Sequence, residues 1–174
     1  VMFLDADDWL EPDAIERLAA VARANPGRYV YSDWYAGEVR VEAPPTGFAW
    51  CGGTWHAVTA LLPTAWVQDA GGFDETLPGG EDTDLFLNLI TSRRCGVRVE
   101  ATLLHYSADG QRGKTFVNRP DFEEIMRGIR DKYAERGREM ACCGQTKDAG
   151  TPIGERQAQD VLAMALWGGN RREF

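Results

Sequence analysis

The pattern of apolar and polar residues predicts strands and helices in alternation. Residues 1–4 (VMFL) are consecutively apolar, as in a strand that is covered on both faces. Apolar residues then recur at helical spacing from Ile15 to Ala22, and Asn25-Pro26-Gly27 is a typical helix stop. Tyr29 to Trp34 predicts the next strand. This strand, helix, strand order is typical of a βαβ unit and therefore of a parallel sheet.

The rest of the chain continues the same pattern as far as residue 136. Residues 55–62 are apolar without a period that distinguishes a strand from a helix. Elsewhere we predict a short edge strand over 38–42, a loop over 43–54, a helix over 63–69, a helix from Thr83 with Leu85, Phe86, Leu89 and Ile90 inside, a strand over 97–104, and a helix over 121–136. We expect one α/β domain over residues 1–136. Residues 137–174 have little periodicity and are interpreted as a linker and the start of a small module.

Three carboxylates follow the first predicted strand at its carboxyl end, which is the edge where open α/β sheets bind ligands. Asp5 and Asp7 flank one residue, so in an extended segment they point the same way and repel each other unless a cation lies between them. Carboxylate, water and phosphate oxygens are the ligands that Mg²⁺ and Mn²⁺ prefer. The pattern predicts a divalent ion that holds a diphosphate. As an alternative or additional role, Asp7 or Asp8 caps the next helix.

A second acidic cluster opens a later helix. Glu81, Asp82 and Asp84 come directly after Gly79-Gly80. Free amides and the helix dipole stabilise a carboxylate there as the anion, the form that a general base requires. An acidic helix start without function is the alternative, but two such clusters favour a site.

Two further residues are weaker candidates. His105 follows the strand predicted over 97–104 and could reach the same edge as a third metal ligand, although a structural or surface histidine is the alternative. Trp55 lies beside a predicted loop, where its ring could stack on a sugar or fill core space.

Composition narrows the classes of function. The chain has 27 acidic and 19 basic residues and a formal net charge of -8, which argues against a nucleic-acid partner. No apolar run approaches the length of a membrane span. Cys51 and Cys95 are isolated, so we expect them reduced, whereas the vicinal pair Cys142-Cys143 has no CxxC partner and supports a metal site only weakly. We expect a cytoplasmic protein, with peripheral attachment to a membrane left open.

Three stretches together resemble a family 2 glycosyltransferase with the GT-A fold. They are the apolar run with DADDWLEPDAIERL, then GGFDETLPGGEDTDLFLNL, and then the strand that leads to LLHYSADG. Their order and spacing match over residues 1–135. The resemblance implies a Rossmann-like mixed sheet flanked by helices, a nucleotide-diphosphate sugar as donor (a UDP-sugar foremost), and a glycan or other hydroxyl compound as acceptor.

The resemblance also implies roles for individual residues. Asp5 and Asp7 match the DxD motif, with Asp7 as the first candidate for a direct ligand of Mn²⁺ or Mg²⁺. Asp82 matches the general base of inverting members, which takes a proton from the acceptor hydroxyl. Glu81, Gly80 and Trp55 would lie on the acceptor side.

The match has two departures. The family's first strand–helix units precede the matched part, so the resemblance implies a domain that is truncated at its N-terminus and has an incomplete donor site. Asn88 stands where the family often has an arginine, which leaves a detail of the acceptor or phosphate side open.

Two other functions compete with this interpretation. FLDAD and GGEDTD resemble the acidic motifs of a phosphatase of the haloacid dehalogenase type, but no lysine precedes Lys114. A non-catalytic remnant is the second, because the nucleotide-binding half is absent from the match. A calcium loop of the EF-hand kind is disfavoured because Leu10 stands where that loop needs glycine.

Overall fold

The computed structural model describes residues 1–43, 58–107 and 118–138, which form a mixed sheet flanked by helices. The sheet order is β1-β4-β2-β3, with β2 and β4 parallel and both outer pairs antiparallel. This arrangement confirms the predicted α/β class. The elements are β1 (Trp9–Leu10), α1 (Ala14–Ala24), β2 (Tyr29–Ala36), β3 (Val39–Val41), α2 (Thr64–Ala70), α3 (Glu81–Thr91), β4 (Gly96–Tyr106) and α4 (Phe122–Arg138).

Neighbouring residues of β4 point to opposite faces of the sheet, and each face has its own core. Leu103 packs with α1 through Ala14 and Leu18. Leu104 belongs to the larger core on the other face, which includes the inner residues of α3. All four residues predicted inside α3 are buried, so that prediction is confirmed, whereas Ile15 of α1 is 52% exposed.

Helix α3 is enclosed from a second side by α4. Leu87 packs with Ile129 and Tyr133 in a separate apolar cluster. The buried carboxylate of Asp84 accepts hydrogen bonds from Lys132 Nζ at 2.9 Å and from the Tyr133 hydroxyl at 3.0 Å. Packing against both the sheet and α4 explains why most of α3 is buried.

The predicted strand over residues 1–4 does not form, and this part of the βαβ prediction is wrong. Val1 and Leu4 are 42% and 44% exposed. Val1 N donates to Leu62 O at 2.7 Å, and Leu62 N donates to Val1 O at 2.8 Å. Over the described ranges no strand ladder includes residues 1–4, and the segment is held by this one backbone pair and by the packing of Met2 and Phe3. The parallel pair of the sheet is instead β2 with β4.

Two glycines set the bounds of helices near the predicted site. Gly71 takes the left-handed conformation after α2, where the helix was predicted to end. Gly80 also has a positive φ of 77° and is the N-cap of α3, so this helix begins at Glu81, two residues before its predicted start.

Beyond the other end of α3, Cys95 is disulfide-bonded, so the expectation of reduced cysteines is wrong at this position.

The β2–β4 ladder is irregular around Asp33, a fully buried carboxylate in the middle of β2. Ser32 pairs with Val99, but the next residue, Asp33, pairs with Thr102. Arg98 binds the carboxylate through Nε at 2.7 Å and Nη2 at 2.9 Å. Arg40 Nη2 at 3.1 Å and the Ala43 N–H at 3.0 Å complete its shell. Burial raises the pKa of Asp33, but these donors outweigh it and hold the pKa below its ordinary value.

We expect Gly96→Ala to lower the free energy of unfolding by about 1–3 kcal/mol, because the site has no room for a methyl group. A Cβ at Gly96 would lie 2.5 Å from Tyr29 Cε2 and 2.7 Å from Tyr31 Cε1. Urea unfolding measures the change. Gly128→Ala in α4 is the matched control, since a Cβ there meets no atom within 4 Å and should stabilise the helix by up to about 1 kcal/mol. Equal stabilities for the two variants would contradict this account of Gly96.

Candidate active site

The acidic loop (residues 5–8) lies at the carboxyl end of β4. It is a turn, closed by a 3.1 Å hydrogen bond from Asp8 N to Asp5 O. β1 follows immediately and pairs with the end of β4, Trp9 opposite His105. The loop therefore lies beside the end of a parallel strand, but that strand is β4 and not the one predicted over residues 1–4. Because the segment turns, the prediction that Asp5 and Asp7 share one side of an extended chain does not apply.

A cleft of about 460 Å³ brings the two predicted acidic clusters together. Asp5, Glu81 and Asp82 line one part of it. The rings of Phe3 and Phe73, with centroids 4.6 Å apart, line another. Gly80 precedes Glu81 as the helix N-cap. Asp7 is not among the lining residues, but it lies close enough to Asp5 for their repulsion to affect the pKa of Asp5. Trp55 lies outside the described residues.

Asp82 is the second residue of α3 and is partly buried. Burial raises its pKa, and repulsion by Glu81 and Asp5 adds to the rise. The Thr83 N–H, which donates to Asp82 Oδ1 at 2.6 Å, opposes the rise without cancelling it. The predicted stabilisation of the Asp82 anion by the helix start is therefore outweighed, because desolvation exceeds the stabilisation by the amide and leaves the pKa above its ordinary value. A raised pKa makes the carboxylate a stronger base.

Among the described residues the acidic loop has no cationic partner for its negative charge. Burial is the main cause that raises the pKa of Asp5, followed by repulsion from Asp7 and Glu81. Burial also raises the pKa of Asp8 to about 6, against the hydrogen bond from Ser107, and Asp5 and Asp7 contribute to the rise. Over residues 1–43, 58–107 and 118–138, no lysine, arginine or histidine forms an ion pair with these carboxylates or with those of Glu81 and Asp82.

The capping role considered for Asp7 or Asp8 is wrong. Asp13 is the N-cap residue of α1. Asp8 Oδ1 instead accepts a hydrogen bond from Ser107 N at 2.8 Å, just beyond β4. The first turn of α1 begins too far along the chain for either residue to cap it, because β1 intervenes.

His105 is held by neighbours other than the acidic loop. Its Nε2 lies 2.6 Å from Glu11 Oε1. The imidazole stacks between Trp9, at 5.0 Å between ring centroids, and Tyr35, at 5.1 Å. Within the described part of the chain, no three His, Cys, Asp or Glu side chains form a group that could hold a metal ion. The role of His105 as a third ligand stays a prediction.

Tyr106 lies near the acidic cluster, outside the lining of the cleft, and the sequence reasoning missed it. It is the last residue of β4 and is partly buried. Burial raises the pKa of its phenol, followed by the negative charges of Asp8, Asp5, Asp7 and Asp82, so the hydroxyl stays protonated beside these carboxylates. Strand alternation could have found it, because a residue two places beyond Leu104 shares the face of Leu104.

We expect Asp8 to make stability fall as pH rises. Its pKa in the folded chain is about 6, above the ordinary 3.8, so the unfolded chain loses this proton first. Between about pH 4 and pH 6 the folded state should lose about 1–2 kcal/mol relative to the unfolded state, with solvent screening of the half-exposed carboxyl included. Asp8→Asn should abolish this contribution and be the more stable protein at pH 7.5. Urea unfolding at pH 4 and 7.5 tests this, and a wild-type advantage that grows with pH would contradict it.

Comparisons with known proteins add little at the level of sequence. No protein-family model matches the chain, and no curated protein matches it. Among solved structures, the chain is similar to S. aureus TarS residues 1–349, with 13% identity and a TM-score of 0.48. The match covers 95% of this chain and 56% of that one, so the chain spans little more than half of the solved structure. A likeness at this level carries no argument about chemistry.

No helix in the described ranges is long and apolar enough to span a membrane.

Proposed function

We propose that the chain is part of a metal-dependent glycosyltransferase of the GT-A type. One observation carries the proposal: Asp5 and Asp82, which the sequence places in separate acidic motifs, line one cleft beside the ends of the parallel strands. Ligands of open α/β sheets bind at this edge. The cleft also has an aromatic side, formed by Phe3 and Phe73, which suits the apolar face of a sugar ring.

The acidic loop suits a divalent cation. Asp5 and Asp7 are close enough to repel each other, and neither has a cationic partner among the described residues. A cation between them would remove this repulsion. Mg²⁺ and Mn²⁺ are commonly held by one or two carboxylates together with water and substrate phosphates. We assign the protein ligands to Asp5 and Asp7. A bound ion would offset the charge that develops on the diphosphate leaving group.

The residues of α3 supply the acceptor side. Asp82 is the general base: it takes the proton of the acceptor hydroxyl as that oxygen bonds to the anomeric carbon and the bond from that carbon to the diphosphate breaks. Its raised pKa favours this proton transfer. Glu81 lines the same cleft and can accept a hydrogen bond from the acceptor. Tyr106, with its protonated hydroxyl, can donate to an oxygen of either substrate.

We expect UDP to bind with an affinity at least about tenfold higher when Mn²⁺ is present. Calorimetric titration of UDP, GDP and dTDP, with and without Mn²⁺, measures this on the 174-residue chain and on the full-length product of its reading frame. Asp7→Asn should abolish the effect of the metal. Asp13→Asn, an exposed aspartate of the same segment, is the matched control and should not.

The alternatives give different results. If no nucleotide binds to the full-length protein with any divalent metal, the glycosyltransferase proposal fails and a non-catalytic protein is favoured. Release of inorganic phosphate from a phosphomonoester, lost in Asp5→Asn, would instead favour a phosphatase.

A further inference from the structure

We propose that Asp8 is a positioning residue that fixes the acidic loop to the end of β4. The inference deepens the proposed function, on which its catalytic meaning rests. Asp8 is the last residue of the loop, and its Oδ1 accepts the Ser107 N–H at 2.8 Å. Its own N–H closes the loop onto Asp5 O at 3.1 Å. One residue therefore connects both ends of the loop to the first residue beyond β4.

Because of the position of Ser107, this hydrogen bond fixes where the loop lies relative to the proposed base. Ser107 follows Tyr106, whose phenol lies within the field of the carboxylates of both the loop and Asp82. The bond between Asp8 and Ser107 thus sets the loop against the strand end that also faces the proposed base. Asp8 is only half-buried, so its carboxylate keeps part of its hydration while one oxygen is used by the backbone.

A second attachment lies three residues further along the chain. Glu11 N donates to Leu103 O at 3.0 Å, and Glu11 Oε1 lies 2.6 Å from His105 Nε2. Trp9 stacks on the same imidazole with the ring planes at 9°. This attachment holds β1, and the Val1–Leu62 pair holds the chain before the loop, whereas Asp8 makes the bond from the loop itself to the end of β4. Loss of Asp8 should therefore loosen residues 5–8 while β1 stays paired.

Two substitutions separate positioning from direct coordination. Asp8→Asn keeps an oxygen that can accept the Ser107 N–H, whereas Asp8→Ala removes it. In Asp8→Ala we expect the Ser107 amide to exchange its hydrogen at least about tenfold faster and the Mn²⁺–UDP affinity to fall by about tenfold. Asp8→Asn should keep the protection of Ser107 and stay within about threefold of the wild-type affinity, because it loses only a screened neighbouring charge.

Hydrogen exchange of the metal-free chain and titration of Mn²⁺ with UDP are the two readouts. Asp74→Ala is the matched control, because Asp74 also accepts a backbone N–H, that of Thr76 at 3.1 Å, but lies in a different turn. If Asp8→Asn loses Mn²⁺–UDP as completely as Asp7→Asn, Asp8 is a ligand and the proposal is overturned. Unchanged protection of Ser107 in Asp8→Ala also overturns it.

The failure of the proposed function would be seen separately. If the wild-type protein binds no metal–nucleotide complex, the proposed function fails, and the exchange data alone decide whether Asp8 positions the loop. Faster exchange of residues 5–8 in Asp8→Ala, restored in Asp8→Asn, would then support the anchoring role. Exchange at the wild-type rate in both variants would reject it.

Discussion

Asp82→Asn should lower kcat/KM for sugar transfer by about a thousandfold, because a general base of this kind contributes about 10²–10⁴ to the rate. The amide has nearly the shape of the carboxylate but cannot take the acceptor proton. The readout is release of UDP from UDP-glucose or UDP-N-acetylglucosamine by the full-length protein. Affinity for Mn²⁺ and UDP should stay near the wild-type value, since the proposed metal ligands are untouched.

The same substitution should raise thermal stability at pH 7. The pKa of Asp82 is raised in the folded chain, chiefly by burial, so ionising it costs more there than in the unfolded chain. The wild-type protein therefore loses stability as pH rises from the pKa of the unfolded chain to that of the folded chain, and the neutral amide avoids that loss. Asp131→Asn, an exposed aspartate on α4, is the control and should change neither property. Activity of Asp82→Asn within tenfold of the wild type would exclude Asp82 as the base. If the variant were less stable than the wild type, unfolding would explain any lost activity.

Asp33→Ala should lower the free energy of unfolding by about 3–5 kcal/mol, because it removes the anion from a buried ion-pair network. Arg98, mostly buried, would keep its charge without the two bonds at 2.7 and 2.9 Å. The Ala43 N–H would also lose its buried acceptor. Urea unfolding measures the loss.

A surface pair provides the control for Asp33. Arg94 Nη2 lies 2.6 Å from Asp69 Oδ2, and the Asp69 side chain is 60% exposed. Asp69→Ala should cost less than about 1 kcal/mol, since solvent screens such pairs. Because the pKa of Asp33 is lowered in the folded chain, its contribution should be present at neutral pH and disappear as pH falls below the ordinary range of a carboxyl. A loss at Asp33 no larger than that at Asp69 would contradict this account.

Elements with a strong local signal were predictable from the sequence. The inner face of α3 follows from apolar spacing, and Gly71 gives the end of α2 because a left-handed residue ends a helix. The sequence indicated only that two acidic clusters favour a site, and in the structure Asp5 and Asp82 line one cleft. The division at residue 136 and the roles of the site residues stay predictions.

Features that depend on tertiary neighbours were not predictable. Residues 1–4 have the composition of a buried strand, but a strand also needs a paired neighbour, and the described residues give it only Leu62. The pKa of Asp82 depends on how much water the folded chain removes, which no motif records. Asp33 carries no sequence signal at all, because its partners Arg98 and Arg40 are brought to it by strands that pair only in the fold.

The irregularity beside Asp33 determines which side chain reaches the carboxylates. Between Val99 and Leu104, β4 contains more residues than the part of β2 that pairs with it. Each residue inserted into a strand or removed from it reverses the face of the sheet to which the later side chains point. The length of the bulge therefore determines which face of the sheet each side chain at the end of β4 points to. Its present length turns Tyr106 towards the acidic cluster and His105 towards Glu11. A strand one residue shorter at the bulge would reverse the facing of every later residue of β4, so Tyr106 would turn away from the acidic cluster and His105 away from Glu11.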